Sequence, residues 1–219
     1  MESIIPSEQY FSSVRQLVKE ADPSRFVSLD IETLVRGKDR FLTGESLIAI
    51  TVSNNYIEPE TKIFVAVAET VSEEKRIILA LDGYLKKIDP VCIMGYNHIS
   101  YDIPLIQMKL RRLNFTERPW NIGNYFGSTV LVDMMYVIAR DLGRKNGEYR
   151  IRKLGEVVLR DEYSQLPLNR KKELVQIPGK NVGEAIEFLW KNNTDEFLQY
   201  CRGDTEDLLH IFRQIFLKS

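Results

Sequence analysis

The fold of this chain is decided by the stretch FVSLDIE at residues 26–32. Its apolar and β-branched residues predict a β-strand, and the two-residue period of a strand places Asp30 and Glu32 on one face with Ile31 on the other. Two carboxylates this close repel each other. A strand that carries both of them therefore calls for a group or ion of positive charge nearby.

Two further carboxylates stand where apolar residues are expected. Asp204 is the one charged member of a C-terminal helical stripe, whose apolar members are Phe197, Cys201, Leu208, Ile211 and Ile215. A carboxylate on a core-facing stripe costs several kcal/mol unless it is paired, protonated or bound to a cation. Asp102 stands at the head of an amphipathic helix that follows a buried strand.

Carboxylates without a basic partner nearby in sequence are typical of sites for hard divalent cations, because Mg²⁺ takes oxygen ligands and often shares them with a substrate phosphate. Each residue also has an ordinary structural explanation. Asp102 could cap its helix, and Asp204 could form a buried ion pair with an arginine. Asp30 and Glu32 could lie at a solvated strand edge. The order and spacing of the four carboxylates together favour the metal site.

The sequence predicts an α/β fold. Strands are expected at Phe26–Glu32, Leu47–Val52, Thr61–Val67, Val91–Met94 and Thr129–Val132. Short polar connections between the first three strands indicate an antiparallel meander, and the later alternation of strands and helices indicates parallel strands covered by helices. The expected architecture is a mixed five-stranded sheet flanked by helices.

Helices are expected at Tyr10–Lys19, Thr70–Ile88, Asp102–Leu113 and Leu154–Leu159, and from Asp133, Val182 and Thr194 onwards, with Thr194 as an N-cap. Residues 114–128, rich in glycine and aromatics, and Pro167–Lys180 are predicted loops. Asp133 is expected to cap its helix. His98 and His210 are expected to be an ordinary loop residue and a helix-surface residue.

Length and composition predict a single domain over residues 1–219, in which residues 1–24 form an N-terminal helical extension. The 219 residues are 44% hydrophobic and 28% charged, as in soluble globular proteins. No apolar run approaches the ~20 residues that cross a bilayer, so no membrane partner is expected. The first residues lack a secretion signal, and Cys92 and Cys201 suit a reducing compartment, which favours a cytoplasmic location.

The net charge of −1 gives no global attraction to a polyanion, so any nucleic-acid binding has to come from local basic patches. One candidate patch is Lys109, Arg111 and Arg112. A second consists of Arg140, Arg144, Lys145, Arg150, Arg152 and Lys153. The alternative for both patches is a set of ordinary solvated charges.

Three short motifs resemble those of a known enzyme superfamily: Asp30-Ile31-Glu32, Asn97-x-x-x-Tyr101-Asp102 and Tyr200-x-x-x-Asp204. In this order they resemble the exonuclease motifs of the DEDD (DnaQ-like) 3′–5′ exonucleases, whose fold is ribonuclease H-like. The likeness is closest to the proofreading domain of family B DNA polymerases. It spans roughly residues 26–216, including GSTVLVDM at 127–134, which resembles the strand after the second motif.

The third motif indicates a subgroup. Gln199 stands where one branch of the superfamily has a histidine, whereas Tyr200 stands four residues before Asp204, as in the tyrosine subgroup. A polymerase domain does not fit within 219 residues, so the resemblance is to a free-standing exonuclease.

The resemblance implies a site for two divalent metal ions, Mg²⁺ or Mn²⁺. Asp30 would bridge both ions. Glu32 and Asp204 would complete the site of the nucleophilic water, and Asp102 would bind the second ion. Tyr200, one helical turn before Asp204, would orient the attacking water; the alternative is that it is a packing aromatic.

Four residues near the motifs are expected to bind substrate: Thr33, Leu34, Asn97 and Tyr101. Thr33 and Leu34 follow the first motif, where similar domains contact the terminal nucleotide, so Leu34 is expected to lie against a base. Asn97 could instead have a structural role in its loop.

The resemblance implies a metal-dependent 3′–5′ exonuclease that releases nucleoside 5′-monophosphates by two-metal-ion catalysis. The expected partner is single-stranded DNA or a frayed 3′ end, and a polymerase or repair protein is a candidate protein partner. An exoribonuclease is the nearest alternative. A weakly active nucleic-acid-binding accessory module of a polymerase is another, although clustered negative charge does not help a pure binder of polyanions.

Overall fold

The computed structural model describes residues 6–36, 44–169, 177 and 180–217. Its strands are β1 (Phe26–Val35), β2 (Glu45–Asn54), β3 (Glu60–Val65), β4 (Cys92–Gly95) and β5 (Val130–Asp133). They form one sheet in the order β3-β2-β1-β4-β5. Strands β1, β2 and β3 pair antiparallel, whereas β4 pairs parallel with β1 and β5. The predicted mixed five-stranded sheet is confirmed.

The helices are α1 (Glu8–Glu20), α2 (Val71–Ile88), α3 (Asp102–Arg112), α4 (Trp120–Ser128), α5 (Met134–Asn146), α6 (Leu154–Val157), α7 (Val182–Asn192) and α8 (Thr194–Leu217). No helix within the described ranges is long and apolar enough to cross a membrane. Most of the predicted loop Pro167–Lys180 lies outside the described residues.

Strand β1 is longer than the sequence predicts. Its register with β2 shifts between Glu32 and Thr33, and the strand continues to Val35. Such a bulge bends a strand and increases its twist without ending its pairing. Strand β4 pairs with β1 only at residues 26–28. On the side of β1 where β4 lies, the backbone of the later residues of β1 is therefore not paired with β4.

The two faces of β1 pack against different helices. Val27, Leu29 and Ile31 belong to a core that includes residues of α2, α3 and α4. On the other face, the rings of Phe26 and Phe212 lie 5.7 Å apart.

Helix α8 covers that second face and runs antiparallel to β1. Its C-terminal half reaches the start of the strand through Phe212, whereas Tyr200 in its N-terminal half packs with Leu34 near the end of the strand. The predicted apolar stripe of α8 is buried throughout except at Asp204, which is half-buried.

The predicted loop over residues 114–128 is wrong for α4. Ile122 and Phe126 share one face of this helix and are buried in the core that contains α2. Gly123 and Gly127 are exposed, and a Cβ at either position would meet nothing within 4 Å. Each glycine costs about 1 kcal/mol relative to alanine, and the burial of the apolar face outweighs that cost.

Helix ends follow the predicted caps with one exception. The side chains of Thr70 and Asp133 accept hydrogen bonds from the N–H groups of Glu73 (3.3 Å) and Met135 (3.1 Å). Thr194 is not the N-cap of α8. Asn193 takes that role, since its side chain accepts the N–H of Glu196 at 3.3 Å.

The N-terminal helix is part of the packed structure. The ring of Phe11 lies 5.2 Å from that of Phe216 on α8, and the hydroxyl of Tyr10 donates to the carbonyl of Leu131 at 2.9 Å. The division into one domain with an extension over residues 1–24 stays a prediction.

Lys109 does not belong to an exposed basic patch. Its side chain is nearly buried, and Nζ donates to the Glu74 carboxylate and to the Glu45 carbonyl oxygen. Glu74 also accepts the N–H of Leu47 at 2.7 Å. The sequence interpretation of Lys109 as a nucleic-acid contact is therefore wrong.

Replacing Lys109 by methionine is expected to lower the free energy of unfolding by about 3 kcal/mol, because Glu74 would keep a buried charge without its cation. Urea unfolding would measure this. Lys109→Met combined with Glu74→Gln is expected to recover most of the loss, since glutamine still accepts the N–H of Leu47. The exposed Lys86→Met is the control, with a change below about 1 kcal/mol. Equal effects of Lys109→Met and Lys86→Met would contradict this description.

Candidate active site

Asp30 and Glu32 lie on the face of β1 that α8 covers. In the register with β2, Asp30 is opposite Thr51 and Glu32 is opposite Ala49. Only 7% of Glu32 is exposed, and β1 is the central strand of the sheet. The alternative of a solvated strand edge is therefore wrong for Glu32.

Asp102 reaches β1 from the start of α3. It is not the N-cap, because Tyr101 holds that position and Asp102 lies in the first helical turn. Its Oδ1 accepts the N–H of Ile31 at 3.1 Å, a contact between residues 71 apart in sequence. Since β4 pairs with β1 only as far as Ser28, the edge of β1 beside Ile31 is open to this carboxylate.

The loop between β4 and α3 fixes the position of Asp102. Gly95 ends β4 where a Cβ would lie 2.7 Å from the carbonyl oxygen of Leu29, so a larger residue would push the strands apart. Asn97 takes a left-handed conformation with φ of 61°, which asparagine tolerates better than most residues. Its N–H donates to Asp133 Oδ1 at 2.9 Å, which ties the loop to the end of β5.

His98 belongs to the same loop and is fully buried. Its Nδ1 lies 3.9 Å from Asp133 Oδ2. Burial lowers the pKa of His98 to about 4, so the imidazole is neutral at neutral pH. It remains an ordinary loop residue in chemistry, although its complete burial is not evident from the sequence.

The charge of Glu32 acts on Asp102. Burial raises the pKa of the Asp102 carboxyl, the N–H groups of Asp102 and Ile31 lower it, and the charges of Glu32 and Asp133 raise it. A divalent cation beside these groups would replace repulsion by attraction and lower the pKa.

Asp204 lies half-buried in the part of α8 that crosses this face of the sheet. The next residue fixes the helix against β2, since Thr205 Oγ1 and Ser53 Oγ are 2.7 Å apart. Ser53 is opposite Ser28 in the strand register. Because α8 runs antiparallel to β1, the chain passes from Thr205 to Asp204 in the direction that leads from Ser28 to Asp30 along the strand.

Tyr200 is one helical turn before Asp204. Its side chain is 7% exposed and packs in a cluster that includes Leu34, Phe197 and Cys201. The side chain therefore takes part in the packing between α8 and the sheet. Its role in orienting water stays a prediction, and the packing would hold the ring in place for it.

The predicted substrate-binding residues lie in three different surroundings. The Tyr101 hydroxyl donates to Glu45 Oε1 at 2.9 Å, so the hydroxyl of Thr33, 3.0 Å away, donates to it in turn. Burial is the main cause that raises the pKa of Tyr101 to about 12. Leu34 is only 2% exposed, so contact with a base requires this side chain to be uncovered. Asn97 lines an open cavity. All four roles stay predictions.

Within residues 6–36, 44–169, 177 and 180–217, no group of three or more His, Cys, Asp or Glu side chains is placed to hold an ion. The donor chemistry nevertheless fits a hard divalent cation, because Asp30, Glu32 and Asp102 offer only oxygen and Asp102 is buried beside the charge of Glu32.

Sequence reasoning missed a buried carboxylate on α8. Asp207 is 1% exposed, and its Oδ1 accepts the N–H of Asn169 at 2.7 Å. Burial, aided by the charges of Asp204 and Glu206, raises its pKa to about 7. The available signal was its position one turn before Ile211, a member of the buried stripe.

Residues 47–161 match the model of a protein family described as DNA polymerase family B, exonuclease domain. The matched range contains Asp102, whereas Asp30, Glu32, Tyr200 and Asp204 lie outside it. A comparison with curated proteins gives no match.

The fold is similar to the solved structure of the family B DNA polymerase from the hyperthermophilic archaeon Pyrobaculum calidifontis. The TM-score is 0.64, the sequence identity is 21%, and the alignment covers 89% of this chain. It covers 25% of the polymerase, so this chain spans about a quarter of that protein's length. The similarity in fold confirms the ribonuclease H-like architecture that the motifs imply. The family match extends over more than half of the sequence, and the chain therefore belongs to the exonuclease domains of the DNA polymerase B family.

Proposed function

We propose that this protein is a metal-dependent 3′–5′ exonuclease that removes nucleoside 5′-monophosphates from the 3′ end of single-stranded DNA. The observation that carries the proposal is the 3.1 Å hydrogen bond from the Ile31 N–H to Asp102 Oδ1. It joins α3 to the part of β1 that carries Asp30 and Glu32. Membership of the exonuclease family supports the same class of reaction.

Asp30, Glu32, Asp102 and Asp204 are the residues proposed to hold two divalent ions, Mg²⁺ or Mn²⁺. Bound ions would lower the pKa of a water molecule and neutralise charge on the phosphate. Because burial raises the pKa of Asp102, its affinity for a cation should increase with pH as the carboxyl loses its proton.

Tyr200 is proposed to orient the attacking water through its hydroxyl. Its ring is held by Leu34 and Phe197, so the hydroxyl has little freedom to move. A phenol is a weak base, which favours a hydrogen-bonding role over removal of the proton. The hydrogen bond between Asp102 and Ile31 restricts the movement of that carboxylate in the same way.

A basic cavity beside the site is proposed to bind the phosphates of the substrate strand. It has a volume of about 610 Å³ and is lined by residues of the loop after β4, the start of α5 and the segment that leads into α6. Arg150 and Lys153 line it and are exposed, with Glu156 as its one carboxylate. Asn97 also lines the cavity, and it belongs to the loop that positions Asp102, so the cavity adjoins that loop.

This arrangement favours a single strand as substrate. The net charge of the whole chain is −1, so attraction to a nucleic acid comes from a few local cations. Such a surface is expected to bind only a few nucleotides, through their phosphates and through stacking of their bases. A matched duplex end must melt first, which costs a few kcal/mol and less at a mismatch. Distributive digestion is therefore expected, faster on single-stranded or mispaired ends. A polymerase or repair partner and a cytoplasmic location remain predictions.

The test is a product ladder from 5′-labelled DNA with and without Mg²⁺ or Mn²⁺. Stepwise shortening is expected only with metal, it should weaken steeply with salt, and a 3′-phosphate should inhibit it by crowding the terminal pocket. Asp204→Ala protein purified in parallel controls for a contaminating nuclease. Internal cuts in a circular substrate, or degradation from 5′ ends alone, would contradict the proposal. Faster digestion of an RNA of the same sequence would assign the enzyme to RNA.

A further inference from the structure

An exposed tryptophan lies beside the C-terminal part of α3, whereas Asp102 is at the start of that helix. Trp120, at the start of α4, is 63% exposed. The guanidinium carbon of Arg118 lies 4.8 Å from the centroid of its ring. Large apolar side chains exposed together with cations are typical of binding surfaces.

A groove surrounds this pair. Two cavities, of about 430 and 320 Å³, adjoin each other between the end of α3 and the start of α4, since both are lined by Leu110, Arg111 and Arg118. We call the two together the α3–α4 groove. Arg111, Arg112 and Arg118 are all exposed there. All lining residues lie within the described segment 107–124, and none of them is a carboxylate.

The backbone of the groove is anchored to α2. Lys75 donates to the carbonyl of Asn114 in the loop between α3 and α4. Asp82 accepts the side chain of Asn121 at 2.6 Å and the N–H of Ile122 at 2.9 Å. These contacts hold the segment that presents Arg118 and Trp120 in one position.

Arg111 and Arg112 have a simpler explanation, because basic residues in the last turn of a helix interact favourably with its dipole. That explanation does not extend to Arg118, which lies beyond the helix, or to an exposed tryptophan stacked with it. A groove that combines three cations with an aromatic ring and lacks carboxylates matches the chemistry of a single-stranded nucleic acid.

We infer that the α3–α4 groove binds a single-stranded stretch of the substrate, with a base stacked on Trp120 and phosphates on Arg111 and Arg112. The inference rests on the proposed function and adds a contact remote from the carboxylates. Residues 102–112 of α3 span about 15 Å, the rise of roughly four to five stacked nucleotides. Asp102 is the one carboxylate of α3, so its outer face presents no further negative charge to a passing strand.

The inference predicts that the groove matters only for substrates long enough to reach it. In EDTA, which prevents cleavage, Trp120→Ala is expected to weaken binding of a 14-nucleotide oligothymidylate about 5- to 100-fold. The same variant should change the Mg²⁺-dependent cleavage rate of a 4-nucleotide oligothymidylate less than about 2-fold, because a strand of that length with its 3′ end at the carboxylates ends before Trp120. Replacing both Arg111 and Arg112 by glutamine should reduce the slope of log affinity against log salt by about 1.4, or 0.7 for each phosphate.

Phe188→Ala is the matched control. Phe188 is also an exposed aromatic with a cation nearby, since Lys180 Nζ lies 5.5 Å from its ring centroid, but it is on α7. This variant should bind the 14-nucleotide strand and cleave the 4-nucleotide strand as the unchanged protein does. A direct readout uses Trp190→Phe, which leaves Trp120 as the single tryptophan of the two in the chain, and its fluorescence should be quenched by the 14-nucleotide strand.

The outcomes separate this inference from the proposed function. Unchanged affinity of Trp120→Ala for the longer strand, in a protein that still produces the 3′–5′ ladder, would overturn the inference alone. Quenching of Trp120 in a protein without metal-dependent nuclease activity would overturn the proposed function and support the groove. A groove that responds to no oligonucleotide, and instead to an added protein, would also overturn the inference.

Discussion

Asp30→Ala and Asp204→Ala are each expected to yield folded protein in which the rate of nucleotide release is at least ~10³-fold lower, as when metal-based stabilisation of a transition state is lost. Asp30 lies on β1 beside Glu32, and Asp204 lies on the half of α8 that crosses the same face. The effect should appear in kcat and in kcat/KM alike, because the lost interaction stabilises the transition state.

The control for these two variants is Asp195→Ala. Asp195 is an exposed carboxylate in the first turn of α8, so its loss changes the charge of the same helix without touching the site. It should leave the rate within about 2-fold, since only a small electrostatic effect remains. Near-normal activity in Asp30→Ala or Asp204→Ala would refute the metal hypothesis. Without metal, Asp204→Ala is expected to melt no lower than the unchanged protein, because repulsion between carboxylates is relieved.

Tyr200→Phe is expected to slow cleavage roughly 10- to 10³-fold with little change in affinity for DNA or metal. The ring is packed against Leu34 and Cys201 and only 7% exposed, so phenylalanine should keep the packing and lose the hydroxyl alone. Single-turnover rates measured at saturating DNA would isolate the chemical step.

Tyr84→Phe provides the comparison, since its hydroxyl also forms a hydrogen bond, 3.1 Å from Asn54 Oδ1, but lies on the other face of the sheet. It should cost some stability and leave the cleavage rate unchanged. If Tyr200→Phe raises KM and leaves the single-turnover rate intact, Tyr200 is a packing or substrate-binding residue and its role in orienting water is wrong.

Much of the sheet could be predicted from the sequence because strands are encoded locally. The two-residue alternation of FVSLDIE separates Asp30 from Ile31, and the structure places Ile31 in the apolar core under α2. The approach of Asp102 to the first strand followed from the motif order that the family shares.

The features that could not be predicted depend on partners distant in sequence. Lys109 is buried because its ammonium group pairs with Glu74, which is 35 residues earlier in the sequence. Asp207 is buried because its carboxylate accepts the N–H of Asn169, 38 residues earlier. Residues 120–128 have the composition of a loop, and only the apolar surface of α2 makes them a helix. Periodicity within a short window carries no information on such contacts.

The contact of Thr205 with Ser53 joins parts of the chain 152 residues apart, and its consequence concerns the order of folding. At about 5–20 residues per second, a ribosome completes α8 roughly 8–30 s after β2. During that interval β1 exposes Asp30 and Glu32 on an uncovered face, and Asp204 does not yet exist. The emerging chain is therefore expected to be unable to cleave nucleic acid near the ribosome, and nuclease activity should begin only when α8 docks.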